Sequence, residues 1–190
     1  MSGAPDAGGR DPRALPPVTA AAAVSVRPAN AGDLARIWEL VLELADYERF
    51  AAFVTGTPER LGELLFGGKD TLEARVAEHA GRSVGYMLFY MRYSSFRTRR
   101  RLWLEDLFVE PAARGTGAGR ALMQDLARTA LARGCERVDW DVLDWNQLAL
   151  DFYRRQGATP VAKEWTQFGM DEAALHRLAA EGRGTRAAGP

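Results

Sequence analysis

The sequence predicts a single α/β domain, because strand-like and helix-like segments alternate along most of the chain. Apolar residues recur at helical spacing between Leu34 and Ala45, whereas the runs 72–78 and 83–93 are typical of strands. A further apolar run ends at Val109 and leads through a glycine-rich segment into another amphipathic helix. A chain of 190 residues, 47% of them hydrophobic, is long enough to bury one core of this kind.

Local signals place the boundaries of these elements. Thr57 before Pro58 is typical of a helix start, since a threonine side chain caps the helix and proline fits its first turn. Residues 1–22 are rich in Ala, Gly and Pro without apolar periodicity, so we expect a disordered leader, a domain over 23–181 and a disordered tail over 182–190. The expected order is strand 24–28, helix 34–45, helix 57–65, strands 72–78, 83–93 and 101–109, helix 117–133, strand 137–143, helix 147–156, strand 165–170 and helix 171–180.

Composition excludes several classes of partner. The 25 Lys and Arg residues balance the 25 Asp and Glu residues, so no global charge attracts nucleic acid or a membrane surface. No apolar run approaches the roughly 20 residues that span a bilayer. The single cysteine, Cys135, excludes an intramolecular disulfide framework and favours a reducing, cytoplasmic setting. The arginines at 97 and 99–101 are expected to form a solvated turn, with nucleic-acid binding as the weaker alternative.

The glycine-rich segment 114–119, Arg-Gly-Thr-Gly-Ala-Gly, predicts a phosphate site between a strand and a helix. Glycine lets the backbone turn sharply, and the first N–H groups of the following helix have no partners within it. Together with the positive end of the helix dipole, these groups favour phosphate oxygens. Arg120 stands where a dinucleotide fingerprint needs its third glycine, and the Gly-Lys-Ser/Thr of a P-loop is missing. An ordinary strand-to-helix turn remains the alternative.

Three segments carry a family resemblance. Arg-x-x-Gly-x-Gly at 114–119 resembles the pyrophosphate-binding loop of the GNAT superfamily of N-acetyltransferases, and 142–158 resembles the second cofactor-contacting segment of that superfamily. With 104–109, the match extends to the branch of spermidine/spermine and thialysine acetyltransferases and covers residues 24–178. The resemblance implies a mixed central sheet flanked by helices, acetyl-CoA as cosubstrate, no metal, and a homodimer. It places the cofactor on Leu107, Phe108, Val109, Arg114, Gly115, Thr116, Gly117, Ala118, Gly119, Arg120 and Asn146.

The resemblance also implies catalytic roles. Tyr153 is expected to protonate the departing thiolate, since a phenol with a reference pKa near 10 is protonated at neutral pH. Glu105 is expected to take a proton from the incoming ammonium, through a water molecule, and the N–H of Leu107 to meet the oxyanion. The alternatives are a core aromatic for Tyr153, a surface carboxylate for Glu105 and a helix cap for Asn146.

Carboxylates indicate the substrate class. Glu105, Asp106 and Asp144 border the expected cofactor site, and Tyr47-Glu48 resembles the substrate segment of the family. They predict a small primary amine, namely a diamine, a polyamine or a lysine-like amino acid. The chain departs from the polyamine branch at 49–53, Arg-Phe-Ala-Ala-Phe, where that branch tends to carry further acids, so polyamine specificity is in doubt.

Other functions and the assembly stay open at this stage. A protein lysine or N-terminal acetyltransferase is one alternative, and a non-catalytic acetyl-CoA-binding module is another. The presence of both Glu105 and Tyr153 argues against the latter. Apolar surface on the late strand, at Trp165, Phe168 and Met170, agrees with the homodimer that the resemblance implies.

Overall fold

The computed structural model describes residues 23–69, 72–161 and 168–181. The described residues form two compact units, which meet in the chain between residues 143 and 144. The expected leader, 1–22, and tail, 182–190, lie outside the described residues.

The first unit is built on a five-stranded mixed sheet, which confirms the predicted α/β fold class. Its strands are β1 (Ser25–Pro28), β2 (Glu73–His79), β3 (Arg82–Ser94), β4 (Arg99–Val109) and β5 (Arg137–Asp139), in spatial order β1-β2-β3-β4-β5. The first four run antiparallel to their neighbours, and β5 runs parallel to β4. A parallel pair requires a long crossover, and a helix between β4 and β5 supplies it.

Three helices of this unit cover the two faces of the sheet. They are α1 (Leu34–Tyr47), α2 (Pro58–Phe66) and α3 (Ala118–Ala132). The α3 residues Leu122 and Leu126 belong to one buried cluster, and the α1 residues Ile37 and Leu40 belong to another. Strand β3 contributes to both because its side chains alternate between the faces. Met87 and Phe89 join the α3 cluster, while Tyr86 and Leu88 join the α1 cluster.

A β-bulge interrupts β4 at Glu105. In the register with β3, Leu88 lies opposite Asp106 and Phe89 lies opposite Leu104, so Glu105 has no opposite residue. A bulge inserts one extra residue and shifts the alternation of the strand that carries it. Leu102 and Leu104 therefore pack in the α3 cluster before the bulge, whereas Phe108 packs in the α1 cluster after it.

Strands β4 and β5 pair over only three positions. Arg101–Trp103 lie opposite Arg137–Asp139, and β5 then ends. The predicted strand 137–143 is therefore too long, since residues 140–143 are not in a strand. The part of β4 beyond Trp103 extends past the end of β5.

The second unit contains α4 (Gln147–Arg155) and α5 (Glu172–Glu181), close to the two predicted helices. The predicted strand 165–170 is wrong over its described part, because residues 168–170 form no strand. Trp165 lies outside the described residues. Within the described ranges, no helix is both long and apolar enough to cross a membrane.

Candidate active site

The glycine loop adopts the conformation that its sequence predicts. Gly117 is the N-cap of α3 with φ +96°, and Gly115 has φ +84°. Both values lie in the left-handed region, which glycine adopts without a steric penalty. A Cβ atom added at either position would meet no group of the described chain within 4 Å. The space beside the loop is therefore open, and packing inside the protein does not require these two glycines.

The loop also presents hydrogen-bond donors. No side chain in the described part of the protein caps the N-terminus of α3, and the first backbone bond of the helix runs from the N–H of Ala121 to the carbonyl of Gly117. The N–H groups of Ala118, Gly119 and Arg120 thus have no partner within the helix. The Thr116 hydroxyl donates to the Ala113 carbonyl at 2.7 Å. An open left-handed loop followed by uncapped N–H groups fits a diphosphate.

Arg114 joins this loop to the end of α1. Its guanidinium carbon lies 4.9 Å from the centre of the Tyr47 ring and 5.8 Å from that of Phe108. Its Nε donates to the Val109 carbonyl at 3.2 Å. A cation over aromatic faces is stabilised by the ring quadrupole, so the loop and the expected substrate segment form one local structure.

The open edge of β4 lies next to the loop. The N–H of Glu110 donates to the carbonyl of Val84, so the antiparallel bonds with β3 fall on the even-numbered residues after the bulge. Leu107 and Val109 alternate with them and direct their N–H and C=O groups away from β3. The Leu107 N–H, the expected oxyanion donor, therefore points to the edge where β5 has already ended.

The bulge places two consecutive carboxylates on one face of the sheet. The buried hydroxyl of Tyr86 donates to Asp106 at 3.1 Å. The pKa of Asp106 is raised to about 6, mainly by burial; the Tyr86 hydrogen bond opposes the rise, and the negative charges of Glu105 and Glu48 contribute to it. Burial also raises the pKa of Glu48. Glu48, Glu105 and Asp106 thus form one acidic group, which we call the acid group.

Glu105 itself is exposed, although Leu104 before it is buried. The indole Nε1 of Trp103 donates to its Oε2 at 2.9 Å. Burial raises the pKa of Tyr90, the negative charge of Glu105 raises it further, and the positive charge of Arg92 opposes the rise. Sequence reasoning missed Trp103, although a donor two positions before a carboxylate on a strand is a usable signal.

Three expected site residues lie in the second unit. Asn146 is buried and caps α4, with its side chain accepting from the Ala149 N–H at 3.1 Å, so the capping alternative is confirmed. Tyr153 is half-buried on α4, and its ring packs edge-on against Phe152 at 5.2 Å between centroids. Asp144 is exposed in the segment before α4. The structure brings the acid group, Tyr47 and the glycine loop together within the first unit.

Comparison with known proteins identifies the family. The model of the acetyltransferase (GNAT) family matches residues 38–158, which is more than half of the chain. This protein belongs to the GNAT family of acetyltransferases.

Curated relatives of this chain include proteins named as N-acetyltransferases. The acetyltransferase is 35% identical to the thialysine N-epsilon-acetyltransferase of Sus scrofa over 83% of this chain and 98% of the relative. It is 40% identical to an L-ornithine N5-acetyltransferase of Arabidopsis thaliana, over 43% of this chain and 35% of that protein. An integron cassette protein from Vibrio cholerae shares the fold, with a TM-score of 0.68 at 24% identity over 83% of this chain and 98% of that one. The expected GNAT resemblance and an N-acetyltransferase activity are thereby confirmed.

Substitution of Gly117 tests the phosphate site. Gly117→Ala is expected to weaken CoA binding tenfold or more, about 1.4 kcal/mol, because a Cβ enters the open space and strains the left-handed cap. Gly134→Ala is the matched control, since Gly134 has φ +68° and equally open space at the other end of α3. Calorimetric titration with CoA should separate the two variants, while denaturation should show similar losses of stability. Equal CoA affinity in both variants would contradict the site.

The raised pKa of Asp106 predicts a pH-dependent stability. Its folded pKa of about 6 lies above the ordinary aspartate value of 3.8, so the carboxylate destabilises the folded state increasingly as pH rises through this interval. Asp106→Asn removes this effect and can still accept the Tyr86 hydrogen bond. The gain in unfolding free energy of the variant over the parent should therefore grow by about 2 kcal/mol between pH 4 and pH 7. Urea denaturation at both pH values measures it, and a pH-independent difference would show that Asp106 is not desolvated.

Proposed function

We propose that this protein transfers the acetyl group of acetyl-CoA directly to the terminal amine of a lysine-like amino acid. The observation that carries the proposal is the acid group beside an open, uncapped glycine loop. The names of the curated relatives support the substrate class, because thialysine and ornithine are both amino acids with a terminal amine.

The acid group is suited to a cationic amine. The charges of Glu48 and Glu105 act on Asp106 there, and no Lys or Arg forms an ion pair with any of the three within 4.0 Å in the described part of the chain. An arriving ammonium favours the ionised form of Asp106, because an opposite charge lowers the pKa of a carboxyl group. Ammonium binding and ionisation of Asp106 therefore reinforce each other.

The open loop is assigned to acetyl-CoA. The N–H groups at the start of α3 would hold its diphosphate, with Arg114, Gly115, Thr116 and Gly117 shaping the approach, and Leu107, Phe108 and Val109 would border the pantetheine side along the β4 edge. The bound thioester supplies an electrophilic carbonyl carbon. The Leu107 N–H, which points away from β3, is the donor that we assign to the developing oxyanion. Asn146 is assigned to the cofactor in addition to its capping role.

Two side chains carry the proton transfers in this proposal. Glu105 accepts the ammonium proton through a water molecule, so that the neutral amine can attack. Its exposure, and the hydrogen bond that it accepts from the Trp103 indole, support this role. Tyr153 gives its proton to the departing thiolate, an assignment supported by the resemblance of 152–158 to the family segment. Tyr47, Glu48, Asp106 and Asp144 are assigned to the amine.

Matched variants separate binding from chemistry. Tyr153→Phe is expected to keep CoA affinity within a few-fold and to lower turnover by roughly 10²-fold or more, the usual contribution of a general acid. Glu105→Gln should flatten the rise of the rate with pH. Tyr93→Phe, on an exposed tyrosine, is the control and should behave like the parent. Steady-state rates and CoA titration measure these effects. Parent-like turnover in both site variants would overturn the acid and base roles of Tyr153 and Glu105. Absence of turnover in the parent would indicate a non-catalytic acetyl-CoA-binding module.

Amine preference tests the substrate class. Arg49 directly follows Glu48, and Phe50 and Phe53 pack edge-on at 5.8 Å, so a positive and aromatic surface follows the acid group. We expect higher kcat/KM for thialysine, lysine analogues or short diamines than for spermine, because Arg49 repels a second or third ammonium. Arg49→Glu should reduce or reverse the preference for these amines over spermine. Both side chains stand on the same left-handed backbone, φ +65°, so the substitution changes the charge without removing a glycine or adding backbone strain. Kinetics on these amines checks it, and spermine as the best substrate of the parent would refute it.

We further propose that the protein is a cytoplasmic homodimer. The family resemblance supports the dimer, as do Phe168 and Met170, which are 91% and 60% exposed and would be covered by a partner. The single cysteine, which is buried, supports a reducing compartment.

A further inference from the structure

One face of the β3–β4 hairpin changes its chemistry along its length. Cross-strand partners share a face, and the register pairs Tyr90 with Trp103 and Arg92 with Arg101. By alternation along β3 and by the shift at the bulge, these four residues lie on the same face as Tyr86 and Asp106. Moving away from the bulge, this face carries first acids, then two aromatic rings, then two arginines.

The indole ring of Trp103 connects Arg92 with the acid group. Its guanidinium carbon is 4.5 Å from the centre of the Trp103 ring, and the same indole donates to Glu105 at 2.9 Å. The Arg92 guanidinium and the Glu105 carboxylate are therefore separated by the indole ring and its two contacts. Their separation is comparable with the distance between the terminal amine and the carboxylate of an extended lysine-like amino acid, about 7 Å over six bonds.

The two arginines of this face differ in their partners. Arg101 forms ion pairs with Glu136 at 2.8 Å and with Asp139 at 3.7 Å. Arg92 is exposed, and among the residues that the structure describes no carboxylate lies within 4.0 Å of it. Stacking on the indole holds the guanidinium in place while its edge N–H groups remain available for a further partner.

We infer that Arg92 forms a carboxylate subsite, which binds the α-carboxylate of the amino acid whose terminal amine meets the acid group. A guanidinium and a carboxylate form two parallel charge-assisted hydrogen bonds, and the Trp103 ring provides an apolar surface for the connecting chain. The inference rests on the proposed function and deepens it. It makes Arg92 a specificity-determining residue, because the face then complements a zwitterion with separated charges and repels a polyamine at its far end.

The test compares two substrates that differ only in this carboxylate, thialysine and thialysine amide, with saturating acetyl-CoA. Arg92→Met keeps an apolar side chain over Trp103 but removes the charge, and Arg92→Lys restores the charge. Arg100→Met is the matched control, since Arg100 is an exposed arginine of the same hairpin opposite Tyr93, on the other face. Steady-state kinetics gives kcat and KM for each pair, and calorimetry on the CoA-saturated enzyme gives amine affinities independently of turnover.

Arg92→Met should lower kcat/KM for thialysine about tenfold or more, mainly through KM, and leave the value for the amide within twofold. Arg92→Lys should recover part of the loss, and Arg100→Met should change neither substrate by more than twofold. An equal loss for both substrates, or no loss for either, would overturn the carboxylate subsite while leaving the proposed function standing. Absence of amine turnover and amine binding in the parent would refute the proposed function and the inference together.

Discussion

The candidate site depends on one irregularity, the extra residue at Glu105 in β4. In a regular strand, Glu105 and Asp106 would point to opposite faces, and one of the two carboxylates would enter the core beneath α3. The bulge shifts the alternation so that Leu104 and Leu107 both contact the α3 cluster. Asp106 and Phe108 then face the α1 side, where Tyr86 donates to Asp106. A single inserted residue thus keeps both cores apolar and places two acids side by side.

The acid group places like charges close together, and their repulsion destabilises the folded protein. The residues around the group determine how large this destabilisation is. Burial and the charges of Glu48 and Glu105 raise the pKa of Asp106, which means that the folded protein favours its protonated form more than water does. Tyrosine and indole donors, rather than arginines, hold the acids of this group. A cationic ligand is the partner that we propose for the acid group, since an ion pair within the protein would neutralise the site permanently.

The part of the site proposed for acetyl-CoA depends on the change from antiparallel to parallel pairing at β4. Because β5 runs parallel to β4, the chain must leave the end of β4 through a loop and a helix before it returns. The glycine loop stands at this point, and among the described residues the short β5 leaves the β4 edge beyond Trp103 without a strand partner on that side. An uncapped helix start and an open strand edge therefore lie close together in sequence and in space. Arg114, stacked on Tyr47, connects them to the acid group.

By itself, the sequence determined the elements that local physics controls. Helical periodicity placed α1, α2 and α3, alternating or dense apolar runs placed β2 to β4, and the glycine loop followed from residues that alone tolerate its backbone. Three motifs in order also indicated the GNAT family. Only the tertiary structure decided the bulge at Glu105, the early end of β5 and the grouping of Glu48 with Asp106. These depend on cross-strand register and on which side chains meet across the sheet, and neither is encoded in short-range spacing. For the same reason Arg92 went unnoticed in the sequence, where nothing shows that its guanidinium stacks on the indole that donates to Glu105.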